Sequence, residues 1–324
     1  MSPLPAPTMT ERVMNLLSLP RQRIRAIFPS GTPRWLWLLF QLAALGLAGV
    51  GTYYAWREFP QGLHVEPTAF ALTGAIYVLA FSMHLLGWQS LARIFFGQMR
   101  PVEHVEAIAG SNLVKYLPTI AWYIANRSHY YHAREVASKS VVIASLSELA
   151  LMIGSGGVML VALWIGQVLS PLLAVVICLA GFTVMIWLLA RHAGNGDHKH
   201  PGHWVLALLW YGGSWPMGAL MLWAILRAFV PVGAPDLPTV ADIWLLAGLA
   251  SYATSLTLGA FGIAREITLT VLVAQHWPLS VGIAAAIVVK LVLTLGEIGC
   301  SLAILGWINL RRRLAVGTPK RDIL

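Results

Sequence analysis

NLVKYLPTIAWYIANR, residues Asn112–Arg127, is apolar enough to enter a bilayer, yet it carries Lys115 and Arg127. Pro118 divides it into two pieces. Each is too short to cross a hydrocarbon core that takes about 20 residues of helix. A cation at the bilayer centre costs roughly 2.5–3.5 kcal/mol on insertion scales, so such side chains turn toward a polar path or site. A second stretch, SLTLGAFGIARE over Ser255–Glu266, has the same character. There Gly259 and Gly262 break the apolar run, and Arg265 and Glu266 follow. Two interrupted apolar hairpins, one in each half of a chain, point to a transporter site.

The rest of the chain fits that setting. Its 324 residues are 58% hydrophobic and 11% charged, with mean hydropathy +0.71. Soluble domains carry about 25% charged residues, so a soluble catalytic domain is excluded. Apolar runs of spanning length cover 35–54, 68–91, 140–165, 171–190, 204–229 and 279–308, the fifth interrupted by Gly212, Gly213 and Pro216. The expected fold is an all-α polytopic membrane protein. It has six spanning helices plus two broken re-entrant hairpins, 104–127 and 239–277. Residues 1–34 form a basic tail, with an interfacial helix expected near 13–28, and 311–324 form a second tail.

Charge orients the spans. With both termini cytoplasmic and each hairpin returning to the side it left, Arg12, Arg21, Arg23, Arg25, Arg34, Arg93, Arg100, Arg134, Lys139, Arg191, Lys199, Arg311, Arg312, Arg313, Lys320 and Arg321 lie inside. Only Arg57 and Arg227 lie outside, which is the bias the positive-inside rule requires. The halves 35–165 and 166–310 then read alike, span, span, hairpin, span, from opposite faces. That is an inverted-topology repeat, whose site sits at mid-membrane between the hairpin tips. The net charge of +9 is assigned to anionic headgroups, and no nucleic-acid partner is expected.

Four cations remain at membrane depth. Lys115, Arg127, Arg265 and Lys290 are the candidate anion-binding residues, and a half-helix starting near Gly262 would aim its positive end at the same anion. A plainer reading has Arg127 snorkelling to the interface and Lys115 in an ion pair. Glu148, Glu266 and Glu297 are read as charge partners, with a proton relay as the alternative. Trp122 and Tyr123 are read as interfacial anchors, with lining of a lipid groove as the alternative. The His-rich loop 192–203 is read as a solvated loop rather than a metal site, and Gly154, Gly156 and Gly157 as a helix-packing stripe. Cys178 and Cys300 fall inside apolar runs and imply no disulfide. HExxH, GxGD, DxD and phosphate-loop motifs are absent, so no cofactor, metal or ATP drive is expected.

At the two hairpins the chain resembles the lysylphosphatidylglycerol synthase/flippase transmembrane family. The first hairpin reads Lys115-Tyr116-Leu117-Pro118-Thr119-Ile120-Ala121-Trp122 with Arg127 after it, similar to the family's K-Y-x-P-G-x-x-W, with Thr119 in place of Gly. The second reads Leu258-Gly259-Ala260-Phe261-Gly262-Ile263-Ala264-Arg265-Glu266, similar to P-G-G-x-G-x-R-E without its Pro and with Ala260 for one Gly. Lys290 and Glu297 stand where the family tends to carry Arg and Glu. The resemblance implies a stand-alone, flippase-like membrane protein without the soluble transferase domain. The expected function is translocation of an anionic phospholipid or a polyprenyl-phosphate-linked lipid across a bacterial inner membrane. The expected partners are an anionic lipid headgroup and, alongside, lipid- or glycan-biosynthetic enzymes. The alternatives are a membrane-embedded transferase acting on a lipid-linked sugar or phosphate, with Glu266 or Glu297 as base, and a non-catalytic lipid-binding partner of such an enzyme.

Overall fold

Pro and Gly punctuate the helices. In a computed structural model, residues 39, 42, 46, 53, 57, 67–97, 99–114, 120–192, 201–230, 235–258 and 263–316 are described. Compact units cover 1–43 and 44–324. In the first, Leu39 and Leu42 are helical and exposed. In the second, Gly46, Tyr53 and Arg57 are helical, followed by nine helices among the described residues and no strand. These are α1 (Pro67–Phe96), α2 (Pro101–Val114), α3 (Ile120–His132), α4 (Ser138–Val168), α5 (Pro171–His192), α6 (Pro201–Phe229), α7 (Leu237–Leu258), α8 (Ile263–Ala274) and α9 (Leu279–Val316). Most of the expected span 35–54, the N-terminal helix 13–28 and the loop residues 193–200 lie outside the described residues.

Four helices, α1, α2, α5 and α6, open on Pro, whose fixed φ and missing N–H suit the first helical position. The backbone N–H of Leu172 donates to Ser170 Oγ at 3.2 Å ahead of α5, and that of Thr239 donates to Asp236 Oδ2 at 3.0 Å ahead of α7. Gly97, at φ 74°, ends α1 in the left-handed conformation that glycine adopts without steric cost.

Among the described residues five helices are long and apolar enough to cross a membrane: α1, α4, α5, α6 and α9. The chain is thus built as a membrane protein. The hairpins differ from one another. At 1.5 Å per residue α2 and α3 reach only about 21 and 20 Å against a core of about 30 Å. They run antiparallel, because His104 meets Tyr131, Glu106 meets Tyr130 and Ser111 meets Arg127. In the second hairpin α8 is equally short, at about 18 Å, but α7 reaches about 33 Å and is long enough to cross. The interruption expected in 204–229 is not there. α6 continues through Pro216. The carbonyl that a proline ring crowds belongs to the residue four earlier, here Gly212, which carries no side chain.

α6 is the most buried spanning helix, whereas none of the apolar window of α5 is buried. α6 packs along α1 and against α4, α5, α7 and α9. α4 also packs on α1, α3, α5 and α7, and α9 on α1, α2 and α8. Small residues allow these approaches. Trp215 of α6 lies against Gly156 of α4 and Gly248 of α7, and Gly154 lies against Met185 of α5. Gly157 has open space beside it, so two of the three glycines expected to pack do so.

At one end of the bundle Arg312 of α9 forms a bidentate pair with Glu106 of α2, at 2.9 and 2.6 Å. Tyr130 donates to the same carboxylate at 2.5 Å, and Arg134 lies 3.5 Å away. Burial disfavours ionisation of Glu106. The hydrogen bonds from Arg312 and Tyr130, with the charges of Arg312 and Arg134, outweigh it and hold the carboxyl below its ordinary value.

Two outcomes are expected. An added Cβ at Gly282 of α9 would lie 2.6 Å from the Thr270 carbonyl oxygen of α8, a backbone atom that cannot step aside. Gly282→Ala should therefore cost about 1–3 kcal/mol in detergent melts. Gly299→Ala, beside open space on the same helix, should not; equal melts for the two variants would refute this packing. The second concerns acid. Because the Glu106 pKa is lowered in the fold, its contribution is complete above the ordinary value of 4.5 and fades as pH falls through the folded value. Glu106→Gln should start less stable at neutral pH and converge on the wild type as pH falls below 4.5. A constant gap across that range would count against it.

Candidate functional site

Both hairpins and four spanning helices face one cavity of about 240 Å³. Ile108, Asn112, Tyr123 and Arg127 come from the first hairpin, and Trp244, Tyr252 and Arg265 from the second. Tyr77 and His84 (α1), Glu148 and Met152 (α4), Trp215 (α6) and Glu297 (α9) complete the wall. The volume is below the roughly 300–1,000 Å³ of drug-sized ligand sites. It suits a headgroup-sized ligand, not a whole lipid.

Arg127 is the best-held charge in the protein, with 1% of its surface exposed. Its Nη1 donates to Glu148 Oε2 at 2.5 Å, its Nε to Ser111 Oγ at 3.1 Å, and its Nη2 to the Tyr123 hydroxyl. Trp88 and Tyr123 stack on its guanidinium at 3.8 and 3.9 Å. Glu148 also accepts from Tyr123 at 3.0 Å and, through Oε1, from Tyr211 at 3.0 Å. Arg127 neither snorkels to an interface nor offers a vacant fork to an anion. Two charges that would each be costly alone satisfy one another with the help of two phenols.

Arg265 is held more loosely. Its Nη2 reaches Ser251 Oγ at 3.4 Å, and its buried Nε has no hydrogen-bond partner among the described residues. Glu297 is buried in the same wall. The two Arg and two Glu that line the cavity leave it formally neutral.

The remaining sequence candidates sort differently. Lys290 does not line the cavity. Its Nζ lies 3.9 Å from Glu266 Oε1, joining α9 to α8, and Glu266 Oε2 is buried without a hydrogen-bond partner among the described residues. Lys115, Pro118, Gly259 and Gly262 lie outside the described residues. Tyr123, read from sequence as an interfacial anchor, belongs to the buried ion pair; its ring is needed over Arg127 and its hydroxyl beside Glu148. Cys178 and Cys300 are free and half-buried. No cluster of three or more potential metal ligands occurs among the described residues.

Sequence reasoning missed His84, Tyr211, Tyr252 and Trp215. His84 meets the Tyr211 ring edge-on at 5.7 Å, and Trp215 meets Tyr252 edge-on at 6.1 Å. A signal for the two carboxylates was present. Ser145-Leu146-Ser147-Glu148-Leu149 and Thr294-Leu295-Gly296-Glu297-Ile298 share a small-Leu-small-Glu-aliphatic pattern and place one Glu in the wall from each half. Compared with known proteins, the chain matches no family model and no curated protein.

A double-mutant cycle tests the pair. Arg127→Met should cost about 3–5 kcal/mol by leaving Glu148 buried and uncompensated. Arg127→Met with Glu148→Gln should recover most of that loss. Additive losses in detergent melts would show that the two side chains are not coupled.

Proposed function

We propose that the protein is an integral membrane lipid translocase, flippase-like, with an inverted repeat of six spans and two re-entrant hairpins. The observation that carries this reading is the convergence of both hairpins on one mid-bundle cavity with a loosely held arginine. The helix contacts support the repeat. Exchange α1 with α6, α2 and α3 with α7 and α8, and α4 with α9, and the packed pairs map onto one another. α3–α4 becomes α8–α9, α2–α9 becomes α7–α4, α1–α2 becomes α6–α7, and α1–α4 becomes α6–α9.

The repeat gives a mechanism. Each half supplies an arginine on the second arm of its hairpin and a glutamate on its last span: Arg127 with Glu148, and Arg265 with Glu297. The first pair is clamped at 2.5 Å, while among the described residues Arg265 donates to Ser251. Loosening of the Arg127–Glu148 pair as Arg265 takes up the headgroup would rock the halves about the α1–α6 contact and expose the cavity to each side in turn. The anionic headgroup meets Arg265, and the tails remain in the bilayer. Lys115 and Lys290 are proposed to add positive potential to the headgroup's route, balanced by Glu148, Glu266 and Glu297. The termini are proposed to be cytoplasmic, and biosynthetic enzymes for lipids or glycans to supply the substrate.

In proteoliposomes carrying a fluorescently tagged phosphatidylglycerol, dithionite bleaching should reveal flipping by the wild type. Arg265→Ala should slow it by about tenfold or more, equivalent to about 1.4 kcal/mol of lost barrier stabilisation. Arg191→Ala, an exposed residue over Trp187, should leave it unchanged. Wild-type rates for Arg265→Ala at normal expression would reject the site.

A further inference from the structure

A second recess lies between α2 and α9, separate from the central cavity. Val102, Val105, Ala303, Ile304, Trp307 and Ile308 line it, and its volume is about 430 Å³. Every lining residue is apolar, so the recess has no polar partners with which to hold water. It is open to the surroundings, with Val102 46% and Trp307 59% exposed. Both flanking helices belong to a chain built for a bilayer, so the medium that reaches it is lipid.

What distinguishes the recess from any other membrane-facing furrow is the charge beside it. The Arg311 guanidinium sits 5.6 Å from the Trp307 ring centroid, and Arg312 and Arg313 follow on exposed backbone. Arg100 directly precedes α2, and Arg134 lies beside Glu106. Arg134 and Arg312 are engaged with Glu103 and Glu106, which leaves Arg100, Arg311 and Arg313 exposed; Arg100 adjoins the groove at the start of α2 and Arg311 lies over Trp307, whereas Arg313, two residues on, points away from Arg311. A greasy slot one helical turn from exposed guanidinium groups is complementary to an amphiphile with an apolar tail and a phosphate.

The geometry points to a binding site for an anionic phospholipid on the outer surface of the bundle. One acyl chain lies in the α2–α9 groove, and the phosphate lies against Arg311 and Arg100. The site stands independently of the translocation reading, since it shares no lining residue with the central cavity. Because it bridges the first hairpin and the last span, its occupancy braces the same two helices that Glu106 and Arg312 join.

The test uses the full chain in lipid nanodiscs doped with phosphatidylglycerol carrying a diazirine in one acyl chain, and in parallel with the matching phosphatidylcholine. After irradiation, peptide mapping should find label on 101–105 and 303–308, several-fold heavier for the anionic lipid. Label on the lipid-facing α5 should be equal for the two lipids. Ala303→Trp should empty the groove of label, and Arg100→Gln with Arg311→Gln should bring the two lipids to parity while leaving the tail label in place. Equal labelling of the wild-type groove by both lipids would overturn the headgroup assignment. Groove labelling no heavier than that on α5 would overturn the site.

Discussion

The buried ion pair between Arg127 and Glu148 is the constraint around which the first half is arranged. Neither charge is tolerable alone at this depth. Their mutual attraction is worth having only because Ser111, Tyr123 and Tyr211 use up the remaining hydrogen-bonding capacity and Trp88 covers the open face. Those residues come from α1, α2, α3, α4 and α6. A single electrostatic demand therefore fixes how a hairpin too short to span the bilayer is seated among helices that can. Specificity, more than stability, is the role that such a buried polar network suits.

The second half answers the same demand less completely. Arg265 sits in the same cavity wall as Glu297, but among the described residues its Nε has no hydrogen-bond partner and its bond to Ser251 is long. A guanidinium with an unmet donor beside a small void can accept an anionic oxygen without first breaking a strong bond. Arg127 cannot. The difference between two arginines of similar sequence context thus lies in how many neighbours each has, and it divides the cavity into a structural side and a receptive side.

Much of the fold was legible in the sequence because the bilayer makes strict demands. Runs of apolar residues with few charges have one stable outcome there, and five of the expected spans lie where the composition placed them. Arg127, Arg265, Glu148 and Glu297 were also legible, since charges in such runs stand out. What each charge does was not. Arg127 is held by Tyr123 of its own helix, Ser111 of α2 and Glu148 of α4, the last held in turn by Tyr211 of α6, and the two tyrosines look like ordinary apolar-helix aromatics in sequence. Lys290, only seven residues before Glu297, was expected in the same site. In the fold it meets Glu266 outside the cavity, because two turns of α9 rise past the wall. Pro216 marked an interruption of 204–229, yet those residues form one continuous helix through it.

The 38 residues of α9 have a further consequence. A straight helix of that length measures about 57 Å, longer than the roughly 40–45 Å of a bilayer with its headgroups. It must lean steeply or stand out of the membrane. Tilt responds to bilayer thickness at a small cost per ångström of mismatch. In a thinner membrane α9 would lie flatter and draw its terminal arginines sideways across the surface. The protein would then sense the membrane it resides in through the inclination of its last helix.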